Sequence, residues 1–596
     1  MPQVSQSAVL GSKRRPNAQT EFSSVKSGEM QGRRYKRPRV TRGTVIGALI
    51  FILLPIAGTA QETVSIVVDA SAPRQPLPRV WAYFGYDEPN YTNAPNGKKL
   101  IAELAKLSPV PVHIRMHNLL TSGDGKPALK WGSTNVYTED ASGQPIYDWT
   151  VLDAIFDTLV HAKVKPLVEI GFMPEALSVH PQPYRHDWPK GPLSTGWAYP
   201  PKDYRKWGEL VFQWVRHAVD RYGKAEVASW KWEVWNEPDI GYWQGSPEEY
   251  YRLYDYAADA VKRALPEAPV GGPHSTGPVN PRAAEFLRRF LEHCARGTNY
   301  ATGSKGAPLD FVAFQPKGNP KVVDNHVRLG ISRHLQSVAE GFKIVASFAE
   351  FKNLPVILGE SDPEGCAACS ARLYPQNAYR NGQLYACYTA EVLQRTLELA
   401  ALHKINLEGA VTWAFEFEDQ PYFEGFRTLA TNGIDKPVLN VFRLFGLLGE
   451  NQISLEGPRA LPLSSILGSG VVGQPDINAL ATVDDHRLSV LVWNYHDDIL
   501  PAPDAPVKML IKGLPGNLTR VLVHHYRIDE HHSNAYTAWK EMGSLQQLTA
   551  EQYSRLSSLG RLQQLSPPEW KHLEQGELEV GFQLPRHAVS LFQLAW

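Results

Sequence analysis

From residue 80 to residue 448 the chain alternates short, nearly continuous apolar runs with longer stretches whose apolar residues recur every three or four positions. The apolar runs are 80–85, 110–116, 165–172, 230–235, 269–272, 309–314, 355–360 and 409–415, rich in β-branched and aromatic residues, and each is read as a buried strand. The helical stretches between and after them are 97–107, 149–161, 204–222, one opening at Pro247, 281–296, 332–351, 385–403 and 438–448. Eight strand–helix units predict an α/β protein, a closed parallel (β/α)8 TIM barrel. An open doubly wound sheet would more often show a glycine-rich phosphate turn after its first strand, and this chain has none.

The pattern changes after about residue 449. Short alternating strands such as 488–493 and 507–511, separated by Pro/Gly turns, predict a C-terminal accessory β-sandwich. The strand 64–68 precedes the barrel, has no helix partner and is assigned as a candidate member of that sandwich. The expected organisation is a leader at 1–60, a catalytic barrel at 61–450 and a sandwich at 451–596. His524, His525, His531 and His532 fall in the sandwich, but no acidic or cysteine partner stands at ligand spacing, so no metal is assigned and the segment is read as a loop that reaches the barrel.

At the N-terminus Arg33, Arg34, Lys36, Arg37, Arg39 and Arg42 precede an apolar run at 45–57 and the small residues Gly58-Thr59-Ala60. This is the layout of an export signal cut near Ala60, which places the mature protein in the periplasm or outside the cell. The alternative is a membrane anchor formed by uncleaved residues 45–60, for which the run is shorter than the roughly 20 residues a spanning helix needs. Translation from Met30 would bring the basic region to the usual length. Export makes Asn90 and Asn517, each in an Asn-X-Thr sequon, candidate glycosylation sites. It also favours a disulfide over a zinc or redox role for Cys366-Ala367-Ala368-Cys369, while the pairing among all four cysteines stays open. Basic and acidic residues balance at 61 each, which gives no field for a nucleic-acid partner. Sixteen tryptophans offer flat faces on which sugar rings can stack.

The run Trp230-Lys231-Trp232-Glu233-Val234-Trp235 ends on Asn236-Glu237-Pro238, and Val356-Ile357-Leu358-Gly359 ends on Glu360. Strands four and seven therefore deliver one glutamate each to the C-terminal rim, where the reacting groups of such barrels collect. Pro238 is expected to bias Glu237 toward an extended backbone. Paired carboxylates are the equipment of glycoside hydrolysis: one donates a proton to the leaving oxygen, the other attacks the anomeric carbon, and their mutual repulsion separates their pKa values. Asn236 suits a hydrogen bond to the sugar 2-hydroxyl. A buried glutamate held by an arginine, and an envelope-attached sugar-binding protein without catalysis, are the competing readings.

Residues 232–239, Glu360-Ser361-Asp362-Pro363, Arg115-Met116-His117-Asn118-Leu119-Leu120 and Phe172-Met173-Pro174-Glu175-Ala176-Leu177 together resemble glycoside hydrolase family 39 over nearly all of residues 62–596. The resemblance implies a retaining barrel with an accessory sandwich, Glu237 as acid/base, Glu360 as nucleophile, His117 as a sugar-contacting histidine and Trp413 as a tryptophan platform. The family holds β-xylosidases and α-L-iduronidases. Where its xylosidases usually carry a His-Pro-Tyr-like turn, this chain has Gln315-Pro316-Lys317-Gly318, and Lys317-Gly318 is similar to the iduronidase branch, whose lysine faces the uronate carboxylate. Glu416, Glu418 and Asp419 would repel a uronate. The expectation is a β-xylosidase releasing xylose from the non-reducing end of xylo-oligosaccharides, with an iduronidase-like activity as the alternative, no cofactor, and only a modest effect of Lys317→Ala on a neutral xyloside.

Overall fold

The computed structural model describes residues 62–596 except 128–130, 187–192, 195 and 414, so the leader lies outside the described residues. Eight parallel strands close on one another in chain order: β1 Tyr83–Tyr86, β2 His113–Met116, β3 Lys165–Ile170, β4 Lys231–Val234, β5 Val270–Thr276, β6 Phe311–Gln315, β7 Val356–Leu358, and β8, formed by Leu407–Ala410 and Thr412–Trp413. Closure is made where Thr412 and Trp413 of β8 pair with Phe84 and Gly85 of β1. A side chain at Gly85 would strike the Trp413 ring, so the smallest residue stands at the seam.

Helices α1 Pro95–Leu104, α2 Thr150–His161, α3 Tyr204–Tyr222, α4 Pro247–Ala264, α5 Pro281–Arg296, α6 Ile331–Ala346, α7 Gln383–His403 and α8 Pro437–Gly446 form the outer ring. Their starts follow local chemistry. Asp203 accepts the N–H groups of Arg205 and Lys206 ahead of α3, and Ser246 with Glu249 closes a reciprocal capping box around Pro247 at the head of α4. Among the described residues no helix is long and apolar enough to cross a membrane.

The C-terminal part is a sandwich of a seven-stranded and a four-stranded sheet. Val64–Asp69 belongs to it, pairing in parallel with Ala505–Lys512. Ile66, Val68, Ile477, Val490, Met509, Ile511 and Leu594 interdigitate between the sheets. The helical pair Ala535–Glu541 and Ala550–Gly560 packs Ala535, Trp539 and Leu556 on Phe423 and Ile434 after β8. His524 and His525 lie on the sandwich strand Arg520–Ile528 and not in a loop; the turn that follows, with His531 and His532, reaches the barrel, where Asn440 of α8 donates to the Ser533 carbonyl at 3.0 Å. His532 itself bonds Asp529. Asn517 is exposed, but Asn90 is buried and its amide donates to the carbonyls of Gly125 and Ser133. With both amide hydrogens engaged inside the fold, Asn90 cannot serve as the glycan acceptor that its sequon suggests.

Barrel and sandwich are joined by a buried ionic cluster. Arg395 of α7 holds Glu391 at 2.7 Å and Asp476 at a short contact, and Trp493 donates to Glu391 at 2.6 Å. Burial, and then the Asp476 charge, push the Glu391 carboxyl well above its ordinary range. Arg395→Met is expected to cost about 3–5 kcal/mol, because two buried carboxylates lose their common cation. Chemical denaturation of both proteins checks this, and the deficit should shrink in acid, where the carboxylates are neutral.

Candidate active site

The inward-facing positions of β2, β3 and β4 include three charged residues, Arg115, Glu169 and Glu233, beside the apolar Leu167. Glu169 and Glu233 face each other across the β3–β4 ladder, an arrangement that repels unless a cation lies between them. Arg115 of β2 supplies it: Nε donates to Glu233 at 2.7 Å and one terminal nitrogen lies 3.5 Å from Glu169. The same guanidinium continues upward, donating to Asn236 Oδ1 at 3.1 Å and to Glu360 Oε1 at 3.3 Å. This buried cation links the barrel interior to the rim that carries Asn236 and Glu360.

Past β4 the backbone departs from the expected form. Trp235 and Glu237 both take positive φ, 73° and 45°, so Pro238 does not leave Glu237 extended. The left-handed turn is held from two sides: Glu237 N–H donates to the His274 carbonyl at 3.0 Å, and Trp235 Nε1 donates to the Tyr242 carbonyl at 2.8 Å. His274 also pairs its Nε2 with Glu233 and packs so closely on Gly359 that a Cβ there would strike the imidazole. Glu360 follows Gly359, so the ends of β4 and β7 are referenced to one buried histidine.

Lys317, beyond β6, lies between the two glutamates. Its Nζ is 2.7 Å from Glu237 Oε1 and 2.7 Å from Glu360 Oε2. Those oxygens are therefore no farther apart than twice that distance. Gln315 receives Lys317 at 3.3 Å and donates to Asn236 Oδ1 at 2.7 Å. With its oxygen committed to Arg115 and Gln315, Asn236 has only its NH2 to offer a ligand.

The electrostatics separate the pair. Burial raises Glu237 above the usual carboxyl range, the Glu360 charge adds to this, and Lys317 only partly offsets it. Burial also acts against ionised Glu360, but Lys317, Arg115 and His117 together outweigh it and hold Glu360 below its ordinary range. The two carboxyls are thus pushed in opposite directions, Glu237 toward its neutral form and Glu360 toward its ionised form. His117 is buried with Nδ1 2.7 Å from Asp87 and Nε2 3.0 Å from Glu169. Burial opposes its charge, yet Glu169 and Asp87 raise it to about 9, so it stands as an imidazolium 3.8 Å from Glu360. Trp413 is 2% exposed, its ring against His117 and under the Arg115 guanidinium.

All seven residues singled out in the sequence, Glu237, Glu360, His117, Asn236, Gln315, Lys317 and Trp413, converge here. Arg115, Glu169, Glu233, His274 and Asp87 were not assigned roles from sequence. The signal for two of them was available, since a glutamate within an otherwise apolar strand, as in Lys165–Ile170 and Lys231–Val234, calls for a buried partner. Glu416 and Glu418 face away from the mouth: Glu416 accepts the Gly433 N–H, and Glu418 accepts N–H groups of Asn96 and Gly97 at the head of α1. These two therefore give no reason to exclude an acidic sugar.

A cleft of about 670 Å³ opens beside Glu237 and Lys317, walled by Tyr184, Tyr242 and the loop after β7. That loop is closed by a disulfide between Cys366 and Cys369, while Cys294 and Cys387 are buried free thiols. Arg380 fastens it, donating to the carbonyls of Cys366 and Cys369 and pairing with Glu364 at 2.7 Å.

A family model described as "Glycosyl hydrolases family 39" matches residues 66–572. A β-xylosidase of Caldicellulosiruptor saccharolyticus is 27% identical over 423 residues, covering 68% of this chain and 75% of the relative. An α-L-iduronidase of Mus musculus is 25% identical over 540 residues, covering 85% and 77%. Among solved structures, the GH39 enzyme from Xanthomonas axonopodis pv. citri superposes with a TM-score of 0.71 at 22% identity, over 91% of this chain and 99% of that one.

Proposed function

The chain belongs to glycosyl hydrolase family 39, and from that premise we propose that it is a retaining β-xylosidase, releasing xylose from the non-reducing end of xylo-oligosaccharides by double displacement. The observation that carries the retaining reading is the shared ammonium. Two carboxylates that share one ammonium, each with an oxygen 2.7 Å from Lys317 Nζ, are drawn close together, in keeping with the about 5–5.5 Å of retaining enzymes more than with the roughly 6.5–9.5 Å at which inverting enzymes seat a water. Glu360, held ionised, attacks the anomeric carbon while Glu237 protonates the departing oxygen. Glu237 then takes a proton from the water that cleaves the glycosyl ester. Similarity to two β-xylosidases supports the sugar. We further propose that the protein is exported by its N-terminal signal, in keeping with the disulfide beside the cleft.

A uronide is the second reading. It is favoured by a cation at the mouth of the site, by the turning away of Glu416 and Glu418, and by similarity to α-L-iduronidases. A panel of aryl xyloside, arabinoside, galactoside, glucoside and uronides separates the two. The expected result is fastest turnover of the β-xyloside with retained configuration. Preference for an iduronide would transfer the assignment to the second reading, and inverted product would remove double displacement.

A further inference from the structure

Lys317 is placed for more than reading a substrate carboxylate. Its backbone forms a bridge with Asp362, two residues beyond Glu360, and the Gly318 N–H donates to the Asp362 carbonyl at 3.0 Å. A Cβ at Gly318 would strike the Pro363 carbonyl, so the lysine-glycine pair lies flat against the loop that carries Glu360. The Lys317 side chain is only 17% exposed. Of Glu237 and Glu360, Arg115 and His117 approach only Glu360, whereas Lys317 touches one oxygen of each.

We propose that Lys317 is a further catalytic residue, a fixed counter-cation for the single negative charge that passes from Glu360 to Glu237 and back during the double displacement. This rests on the two-glutamate reading above. In the first step the bond from the anomeric carbon to the leaving oxygen breaks and the bond from Glu360 forms. Glu360 becomes a neutral ester, the Glu237 proton goes to the leaving oxygen, and the charge now sits on Glu237. In the second step water adds to the anomeric carbon, its proton goes to Glu237, the ester bond breaks and the charge returns to Glu360. An ammonium bonded to both carboxylates meets the charge at either end without moving, which is how a preorganised site avoids reorganisation in each transition state. The role is independent of any carboxylate on the sugar.

The test is the pH dependence of kcat/KM on a neutral aryl xyloside for wild type, Lys317→Met and Lys317→Arg, each with its thermal unfolding midpoint. If Lys317→Met does not fold, Lys317→Gln replaces it. Withdrawing a cation from both carboxylates should move both limbs of the bell upward by about one unit or more, and lower kcat/KM by about a hundredfold or more. Lys317→Arg should keep the limbs near those of wild type. Limbs unmoved in a folded Lys317→Met overturn the proposal, as do limbs that move equally in Lys317→Arg. A Glu360→Ala variant tested with azide separates the layers: rescue with unmoved Lys317→Met limbs removes only the counter-cation, whereas no rescue and full residual activity remove the double displacement and the proposal with it.

Discussion

Glu360→Ala is expected to lose glycoside turnover by on the order of a hundred-thousandfold or more, because no ester can form without the nucleophile. Added azide should restore activity on an activated aryl glycoside and yield a glycosyl azide of inverted configuration. The geometry gives a specific reason to expect rescue. Removing the Glu360 carboxylate leaves a hole faced by the Lys317 ammonium at 2.7 Å from the lost Oε2, by Arg115 at 3.3 Å from Oε1, and by the His117 imidazolium. A small anion is drawn to that position by charges the protein has already buried. Arg115 keeps Glu233 and Glu169, so the barrel interior remains paired and the fold should survive, which a melting curve checks. Near-normal turnover, or an azide product of retained configuration, would take Glu360 out of the nucleophile's place.

The barrel was legible from sequence because each of its strands is a short apolar run and each outer helix has a periodic face, signals that come from the solvent and need no partner. Glu237 and Glu360 were legible for a related reason: each is a charged residue where an apolar strand stops. Lys317 was visible as a residue but not as an ion pair. Its two partners lie on β4 and β7, and nothing local in Pro316-Lys317-Gly318 says which carboxylates the fold will bring within reach. The expectation that it matters only for an acidic sugar failed to allow for a bond to both glutamates. The same holds for His274, whose backbone carbonyl restrains Glu237 while its imidazole holds Glu233. Glu416 and Glu418 illustrate the opposite error: three acidic residues in four positions after Trp413 read as a repulsive patch, but the first is buried, raised to about 7, and the second caps α1. Side-chain direction in an irregular loop is set by tertiary hydrogen bonds, which spacing does not encode.

Glu237→Ala is expected to divide substrates by their leaving groups. With xylobiose, whose leaving alcohol is a poor anion, the first step needs a proton from Glu237, whose carboxyl burial and the Glu360 charge hold above its ordinary range, and kcat/KM should fall about a thousandfold or more. With a dinitrophenyl xyloside the leaving group departs unaided, so kcat/KM should change little. The second step then limits, since no base activates water, and kcat and KM should fall together as the glycosyl ester accumulates. Azide needs no base and should raise kcat, giving a glycosyl azide of retained configuration because it meets the ester from the side water would have used. The variant also relieves Lys317 of one of its two partners. Committed to Glu360 alone, that ammonium should hold the nucleophile's carboxyl lower, moving the acid limb of kcat/KM downward, while the alkaline limb set by Glu237 disappears. Equal losses on the two substrates, or an alkaline limb that persists unchanged, would place the acid/base role on another residue.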